Sequence, residues 1–341
     1  MNNLFSFRRS SSNAVNAPGR RKFLAAALLC AFFSTKAEAI GPSEAGRPAR
    51  RIRDSRGEHV FPATPSRVVA LQWDLLENLI ALGIRPVGAA DTAPWRQWVR
   101  TPALPEGIAD VGTRAEPNIE RIASLKPDLI LIGPTQLDRL QILGKIAPVL
   151  CFENAKKEAP LGQAEGTIAN LLALGRLFER EARAQALVMR IDETLARLGE
   201  EIRHAFGGAP AVQVIRFSGP TTLFVYTSNS IAHYALEKMG IRQPLDLPAA
   251  DYGLTQLRIR DLKNLEEAYV IYVRPFAMEK KVLNSILWRA TPFARKGRVA
   301  AAEPYWSHGG ALSILATAES ICHALLTLAP DSGGIHRKEA A

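Results

Sequence analysis

Short apolar runs alternate with amphipathic stretches along most of the chain. Val68–Leu71 is apolar throughout and is typical of a buried strand, and Trp73–Leu82 then repeats leucine and isoleucine at helical spacing before Gly83. Strands separated by helices in this way indicate a parallel α/β sheet. The same patterns predict a leading strand and turn at Arg51–Arg67, strands at Pro86–Ala90, Leu129–Ile132 and Val149–Phe152, and helices at Pro117–Leu125, Leu137–Ile146 and Thr167–Phe178.

A long amphipathic stretch interrupts this alternation. Glu179–Phe206 keeps one apolar face over 28 residues and stops at Gly207-Gly208. As a helix with about 1.5 Å of rise per residue it would span roughly 40 Å. Beyond it the alternation restarts, with predicted strands at Val212–Phe217, Leu223–Tyr226, Val270–Val273 and Arg298–Ala301, and predicted helices at Ser230–Met239, Leu283–Arg289 and Leu312–Leu328.

The predicted architecture is therefore two α/β lobes joined by one long helix. The N-terminal lobe comprises residues 40–178, the connecting helix 179–206, the C-terminal lobe 207–330 and a flexible tail 331–341. A single long helix is a stiff connection. We therefore expect a ligand cleft between the lobes that opens and closes only slightly.

The first 39 residues have the features of a secretory signal peptide. Arg20-Arg21-Lys22 precedes the apolar run Phe23–Phe33, which ends near Ala37-Glu38-Ala39. A basic start, a short apolar run and small residues at the end predict cleavage before Ile40 and a periplasmic location. The run is too short to span a bilayer. Arg20-Arg21 also fits the twin-arginine pattern, so the sequence leaves the export route open.

Composition and charge narrow the possible functions. The 341 residues are 47% hydrophobic and 22% charged, which excludes a disordered chain and a membrane protein with many spans. The net charge of +10 falls to +5 without the first 39 residues, and the remaining charges are dispersed, so we expect no nucleic-acid partner. Cys151 and Cys322 lie in apolar runs and are interpreted as buried small hydrophobic residues.

Several motifs make the chain similar to one family. Pro117-Asn118-Ile119-Glu120 and Leu125-Lys126-Pro127-Asp128-Leu129-Ile130 resemble the N-lobe signature of periplasmic substrate-binding proteins of ABC importers, in the helical-backbone class that handles iron siderophores and cobalamin. Within that class, the chain looks most like the ferric-hydroxamate siderophore-binding proteins, over about residues 65 to 328. The residues that carry this likeness are Ala70-Leu71-Gln72-Trp73, Ala90-Asp91-Thr92, Trp98-Val99, residues 110–118, Trp306, Gly309 and Leu312-Ser313.

The resemblance implies a ligand that brings its own iron. A ferric hydroxamate siderophore supplies all the oxygens that bind the metal, so the protein needs neither metal ligands nor a cofactor. It needs apolar walls and donors aimed at the iron-bound oxygens, and an arginine presents such donors in a rigid fork. Arg114, on a loop between Gly112 and Pro117, matches the siderophore-contacting arginine of the family.

Aromatic residues near the predicted strand ends are the other candidates for the cleft, because open α/β folds bind ligands beyond the carboxyl ends of their strands. Trp98 and Trp306 match pocket positions of the family, and Tyr252 stands where the family has a pocket tryptophan. The full set of aromatic candidates is Trp73, Trp95, Trp98, Tyr252, Tyr305 and Trp306.

Two positions depart from the family pattern. Gln136 aligns near a tyrosine that donates a hydrogen bond to the ligand, and we expect the glutamine to donate instead. His308 replaces a pocket aromatic and is a candidate for bonding a ligand oxygen or for responding to pH. Both changes are compatible with a hydroxamate ligand.

The resemblance also implies a partner. Proteins of this family act as monomers that deliver their ligand to a membrane permease driven by an ATPase. An acidic residue on each lobe meets arginines of the permease, and Asp138 and Asp261 are the candidates here.

Other functions remain as alternatives. The same fold with haem, cobalamin or another iron chelate as its ligand is the nearest alternative. A periplasmic hydrolase is more remote, because the sequence lacks the G-x-S-x-G motif of a nucleophile elbow. Direct metal binding is disfavoured, because the six histidines are scattered without H-x-H or H-E-x-x-H spacing. We therefore predict a binding protein rather than an enzyme.

Overall fold

The N-terminal lobe is built on a five-stranded parallel sheet with the order β5-β4-β3-β6-β7. The computed structural model describes residues 49–99, 101–153, 156–159 and 161–330. The elements of this lobe are β1 (Arg50–Asp54), β2 (Gly57–Phe61), β3 (Val68–Ala70), α1 (Trp73–Ala81), β4 (Gly88–Ala89), α2 (Thr92–Trp98), β5 (Ala109–Asp110), α3 (Ile119–Ser124), β6 (Leu129–Ile132), a 3-10 helix (Pro134–Arg139), α4 (Leu140–Leu143), β7 (Val149–Cys151) and α5 (Gln163–Leu177). Because the five strands are parallel, the loops at their carboxyl ends meet along one edge.

The C-terminal lobe contains a mixed sheet of five strands with the order β10-β9-β8-β11-β12. Strands β8, β11 and β12 run parallel, whereas β9 is antiparallel to both of its neighbours. The chain enters this lobe through α6 (Glu181–Phe206) and continues as β8 (Val212–Phe217), β9 (Thr222–Tyr226), α7 (Ile231–Lys238), a 3-10 helix (Asp251–Gly253), β10 (Leu254–Arg258), a 3-10 helix (Ile259–Leu262), β11 (Tyr269–Val273), α8 (Glu279–Leu283), α9 (Ile286–Arg289), α10 (Pro292–Arg295), β12 (Val299–Ala302) and α11 (Ala311–Leu326).

Helix α6 is the long connection predicted from the sequence. Its 26 residues bury one face against α5, α7 and α11. Gly199 lets the backbone of α6 lie against the backbone of Met239, because a Cβ atom there would clash with the carbonyl oxygen of Met239. The helix begins at Glu181 rather than Glu179, because Glu179 has a φ of +57° and cannot continue a right-handed helix. The fold is thus two α/β lobes joined by one long helix.

Several elements differ from the sequence predictions. The region predicted as one helix at Leu137–Ile146 is a 3-10 helix, Pro134–Arg139, followed by the short α4. The helix predicted at Leu283–Arg289 is broken, because the Ser285 side chain accepts a hydrogen bond from the backbone N–H of Trp288 and starts α9. Helix α2 and the strands β5 and β10 were missed, and the strand predicted before residue 67 is a two-stranded hairpin, β1–β2.

Both ends of the chain carry predictions that the structure does not address. The signal segment 1–39 and the tail 331–341 lie outside the described residues. None of the described helices combines the length and the apolar character needed to cross a membrane. Within the described part of the chain, Cys151 and Cys322 are buried and form no disulfide, which confirms their interpretation as core residues.

The two lobes meet where α1 contacts the start of α11. The buried carboxylate of Glu77 accepts hydrogen bonds from the backbone N–H and the hydroxyl of Ser313, both at 2.6 Å. Asn78 Oδ1 accepts from the backbone N–H of Ala311 at 2.9 Å, and its Nδ2 donates to the carbonyl of Thr167 in α5. Because the first amides of a helix lack partners inside the helix, side chains of one lobe cap a helix of the other.

We expect Gly310→Ala to disturb this junction. A Cβ atom at Gly310 would lie 2.7 Å from the Asp74 carbonyl oxygen and 2.8 Å from Asn78 Oδ1, so α1 and α11 would have to separate. Overpacking of this kind lowers the free energy of unfolding by about 1–3 kcal/mol, which denaturant titration measures.

Gly208→Ala is the matched control, because a Cβ atom there meets nothing within 4 Å. Its unfolding free energy should change by less than about 0.5 kcal/mol. Equal stabilities for the two variants would contradict a tight contact at Gly310.

Candidate ligand-binding cleft

A cleft of about 330 Å³ opens between the lobes at the carboxyl edge of the N-terminal sheet. Its size lies at the lower end of the range for small-molecule sites. The N-terminal lobe contributes the loops that follow β3, β4, β5, β6 and β7, and the C-terminal lobe contributes the segments around Tyr252 and His308. The apolar walls come from Trp73, Phe152, Ile231, Tyr252 and Trp306.

Arg114 is the central cation of the cleft. Its guanidinium carbon lies 3.9 Å from the ring centroid of Trp73 and 5.1 Å from that of Trp306. Asp91 Oδ2 accepts hydrogen bonds from the Arg114 Nε, at 2.8 Å, and from its backbone N–H, at 3.0 Å. Within the described chain, the two terminal nitrogens of Arg114 have no hydrogen-bond partner. The arginine is therefore held by its Nε and its ring contacts, and its outer donors are available to a ligand.

Asp91 is itself an unusual backbone position. Its φ of +54° places it in the left-handed region, which aspartate tolerates better than most residues. Its backbone N–H donates to the Gly112 carbonyl at 2.8 Å, so the loops after β4 and β5 are tied together. The carboxylate is thereby fixed under the arginine.

The aromatic side chains form one connected group. The ring of Trp73 lies edge-on to those of Trp95 and Trp306, with centroids 5.6 Å and 4.8 Å away. His308 lies edge-on to Trp306 at 5.7 Å and to Tyr252 at 5.9 Å. Contacts of this geometry favour a fixed arrangement of the rings.

Three of the aromatic candidates do not line the cleft. Trp98 is half-buried, 6.4 Å from Trp306 between centroids, and its other neighbour is the guanidinium of Arg216 at 5.1 Å. Trp95 and Tyr305 are buried in the core. The structure therefore brings together Trp73, Tyr252, Trp306, His308 and Arg114, and it leaves Trp98 outside the lining, next to Trp306.

Gln136 lies behind the cleft rather than in its wall. It is fully buried, and its Nε2 donates to the Arg114 carbonyl at 2.6 Å, while its Oε1 accepts from the backbone N–H of Gly133. Gln72 also donates to Gln136 Oε1, at 3.1 Å. These bonds occupy both ends of the Gln136 amide and anchor the loop that carries Arg114.

Burial shifts the pKa values of three titratable groups in or next to the cleft, two acids of α1 and one histidine. Burial raises the pKa of Asp74, which lines the cleft, to about 7, although the Arg114 charge opposes the shift. Burial also raises the pKa of Glu77 to about 7, against the hydrogen bonds from Ser313. Burial lowers the pKa of His308 to about 4, helped by the charges of Arg216 and Arg114. Near neutral pH the histidine is therefore uncharged and the two acids are partly protonated.

The sequence missed several residues of the cleft. Gln72, Asp74, Thr135 and Gln163 line it, and none of them was a candidate. The sequence predicted this helix to begin at Thr167, whereas α5 begins at Gln163. A single glutamine in the segment after β7 carries no signal that marks it as a cleft residue.

The remaining candidates lie away from the cleft. Asp138 is exposed on the 3-10 helix after β6 and pairs with Arg139 at 2.9 Å. Asp261 is exposed on the 3-10 helix after β10 and accepts a hydrogen bond from the backbone N–H of Arg258. Over the described ranges, no group of three or more histidine, cysteine, aspartate or glutamate side chains is placed to hold a metal ion.

Comparison with known proteins gives consistent matches. The family model described as "Periplasmic binding protein" matches residues 68–305. The chain is 28% identical over 259 residues to the iron(3+)-hydroxamate-binding protein FhuD of Escherichia coli K12, covering 75% of this chain and 86% of that protein. It is 26% identical to the Fe(3+) dicitrate-binding periplasmic protein FecB of the same organism, covering 75% and 82%. The structure of siderophore-binding protein FhuD from Vibrio cholerae, bound to Fe3+-Desferal, is 44% identical with a TM-score of 0.75, covering 78% of this chain and 99% of that one.

Glu77→Gln should change how stability depends on pH. The folded protein holds the Glu77 proton more tightly than the unfolded chain, in which the pKa is near 4.5. Glu77 therefore favours folding below about pH 4.5, and this contribution is lost as the pH rises towards 7. Glutamine resembles the protonated acid, so the variant should gain stability relative to the parent between pH 5 and 8, by about 3 kcal/mol.

Denaturant unfolding at a series of pH values measures this difference. Glu120→Gln, on the exposed side of α3, is the control and should differ from the parent by a constant amount. If the unfolding free energy of Glu77→Gln also differed from the parent by a constant amount at every pH, burial would not shift the pKa of the Glu77 carboxyl.

Proposed function

Because the chain belongs to the periplasmic binding protein family, we propose that it is the substrate-binding component of an ABC importer and captures ferric hydroxamate siderophores in its cleft. It is a binding protein and not an enzyme. The observation that carries the ligand class is the state of Arg114. Its guanidinium is stacked on Trp73 and fixed by Asp91, and its outer nitrogens lack partners among the described residues.

The chemistry of the ligand matches this arrangement. In a ferric hydroxamate every oxygen bound to iron carries partial negative charge, and the chains that link the hydroxamates contain apolar methylene segments. The two terminal nitrogens of Arg114 donate to such oxygens, and a guanidinium remains charged at any pH the periplasm reaches. Trp73, Tyr252 and Trp306 enclose the apolar parts of the complex.

Three candidate residues have roles that differ from those expected from the family resemblance. His308 is uncharged near neutral pH, so it bonds a ligand oxygen only through a ring N–H and adds no positive charge. Gln136 supports the ligand through Arg114, because both ends of its amide are already engaged. Trp98 acts by holding Trp306 in place.

The proposal extends to the location and the partner. The iron travels inside the siderophore, and the protein contributes neither a metal ligand nor a cofactor. The chain acts in the periplasm as a monomer and delivers its ligand to a permease of the inner membrane. Asp138 and Asp261, exposed on separate lobes, are the proposed docking residues.

Tryptophan fluorescence of the processed protein tests the ligand class. Trp73 and Trp306 flank the site, whereas Trp288 lies in a separate core cluster of the C-terminal lobe. A ferric hydroxamate, a ferric catecholate, haemin and cyanocobalamin are titrated with correction for their absorbance. We expect saturable quenching by the hydroxamate alone; saturation by haemin or cobalamin alone would overturn the ligand class and leave the fold assignment intact.

Arg114→Ala should weaken binding of a ferric hydroxamate by about 1.5–3 kcal/mol, roughly 10- to 150-fold in Kd, because charge-assisted hydrogen bonds are lost. The same fluorescence titration measures it. Arg121→Ala, which removes an exposed arginine of α3 outside the cleft, is the control and should bind like the parent. Unchanged affinity in Arg114→Ala would remove this arginine from the site.

A further inference from the structure

Gln163 places an unsatisfied amide in the wall of the cleft. The residue is only 5% exposed and lines the cleft. Neither its Nε2 nor its Oε1 has a hydrogen-bond partner among the described residues. Leaving a buried donor or acceptor without a partner costs about 1–3 kcal/mol, so such a group requires an explanation.

The backbone holds this side chain in a defined place between the lobes. Gln163 is the first residue of α5 in the N-terminal lobe, and its backbone N–H donates to the Asn229 carbonyl of the C-terminal lobe at 2.9 Å. Gly253 leaves room for the amide, since a Cβ atom there would lie 3.2 Å from Gln163 Nε2 and 2.9 Å from Ser230 Cα. The backbone of Gln163 is therefore tied to the C-terminal lobe, and its amide lies beside Gly253 of that lobe.

Gln163 and Arg114 have different neighbours. The arginine lies against Trp73 and Trp306, whereas the amide of the glutamine lies beside Gly253 of the C-terminal lobe. We infer from this that the two side chains meet different parts of one ligand. Arg114 offers only donors, which suits the oxygens around iron, but the Gln163 amide has both a donor and an acceptor to satisfy.

This need for a donor and an acceptor restricts the part of the ligand that Gln163 can bind. The oxygens bound to iron accept hydrogen bonds and donate none, so they would satisfy Nε2 and leave Oε1 without a partner. A secondary amide in a chain that links two hydroxamate groups carries one N–H and one C=O, which is the complement of a carboxamide.

We propose that Gln163 is a further ligand-binding residue, which recognises a secondary amide in the linker of a ferric trihydroxamate. The inference rests on the proposed function and narrows it to siderophores with amide linkers. The amide N–H of the ligand donates to Gln163 Oε1, and the ligand carbonyl accepts from Nε2. Specificity for the organic chain is thereby separated from recognition of the iron centre by Arg114.

The test compares two ligands with the same iron centre. One is Fe3+-Desferal, whose linkers contain secondary amides, and the other is its analogue with N-methylated linker amides, which keeps the carbonyls and lacks the N–H groups. Gln163→Met removes the amide and nearly preserves the side-chain volume. Kd values are measured by tryptophan fluorescence for both ligands, and thermal unfolding shows whether each variant is folded.

We expect the parent to bind Fe3+-Desferal about tenfold more tightly than the analogue, as the loss of a buried hydrogen bond predicts. Gln163→Met should bind both ligands within about twofold of each other. Gln141→Met, an exposed glutamine of α4, is the control and should discriminate as the parent does.

Two outcomes would overturn the inference. Discrimination by Gln163→Met equal to that of the parent would show that Gln163 does not read the linker. Equal affinity of the parent for the two ligands would show that Gln163 does not bind the linker N–H groups. An ordered water would then be the partner of Gln163. Failure of the parent to bind either ligand would instead contradict the proposed function. Arg114→Ala should weaken both ligands equally, so it distinguishes loss of the contact to the iron centre from loss of the contact to the linker.

Discussion

The cap that α1 places on the start of α11 is the contact on which the rest of the binding site depends. Glu77 and Asn78 lie in a helix of one lobe, and the amides they bind lie at the start of a helix of the other. The residues just before these caps, Trp73 and Asp74, face the cleft, and so do Trp306 and His308, just before α11. Because the cap fixes both segments, the aromatic group of the cleft is assembled from two lobes but behaves as one unit.

The same contact explains the charge of the site. Burial of Glu77 in the junction raises its pKa, and burial also raises the pKa of the neighbouring Asp74. His308, on the other side of the cleft, is pushed towards its neutral form. Burial therefore shifts the two acids and the histidine towards their uncharged forms, while Asp91 pairs with Arg114. The result is a cleft in which one fixed cation dominates, which suits a ligand with a compact, partly negative centre.

The sequence predicted the strands better than it predicted the direction of side chains. Leu129–Ile132 and Val212–Phe217 were correct to the residue. Leu129–Ile132 is a continuous apolar run buried on both faces of its sheet, and Val212–Phe217 is mostly apolar and mostly buried. Strand β10 was missed because it lies at a sheet edge and carries exposed polar residues. Helix α2 was missed because Pro94 and two tryptophans hide its period. Resemblance identified Arg114, but neither resemblance nor periodicity reveals that Gln136 turns inward or that Gln163 turns into the cleft, since neighbours from other loops set both directions.

The way the lobes are joined also bears on how a ligand is selected. Helix α6 crosses between the lobes without a break, and Gly199 brings its backbone against the end of α7. A wide opening would have to bend this helix and break the hydrogen bonds that Glu77 and Asn78 make with the start of α11. The cleft must therefore discriminate mainly by the fit of ligand groups to side chains already in place. In such a site, a buried amide selects ligands more effectively than a closing motion does. A ligand that lacks the matching donor and acceptor leaves the amide without hydrogen-bond partners.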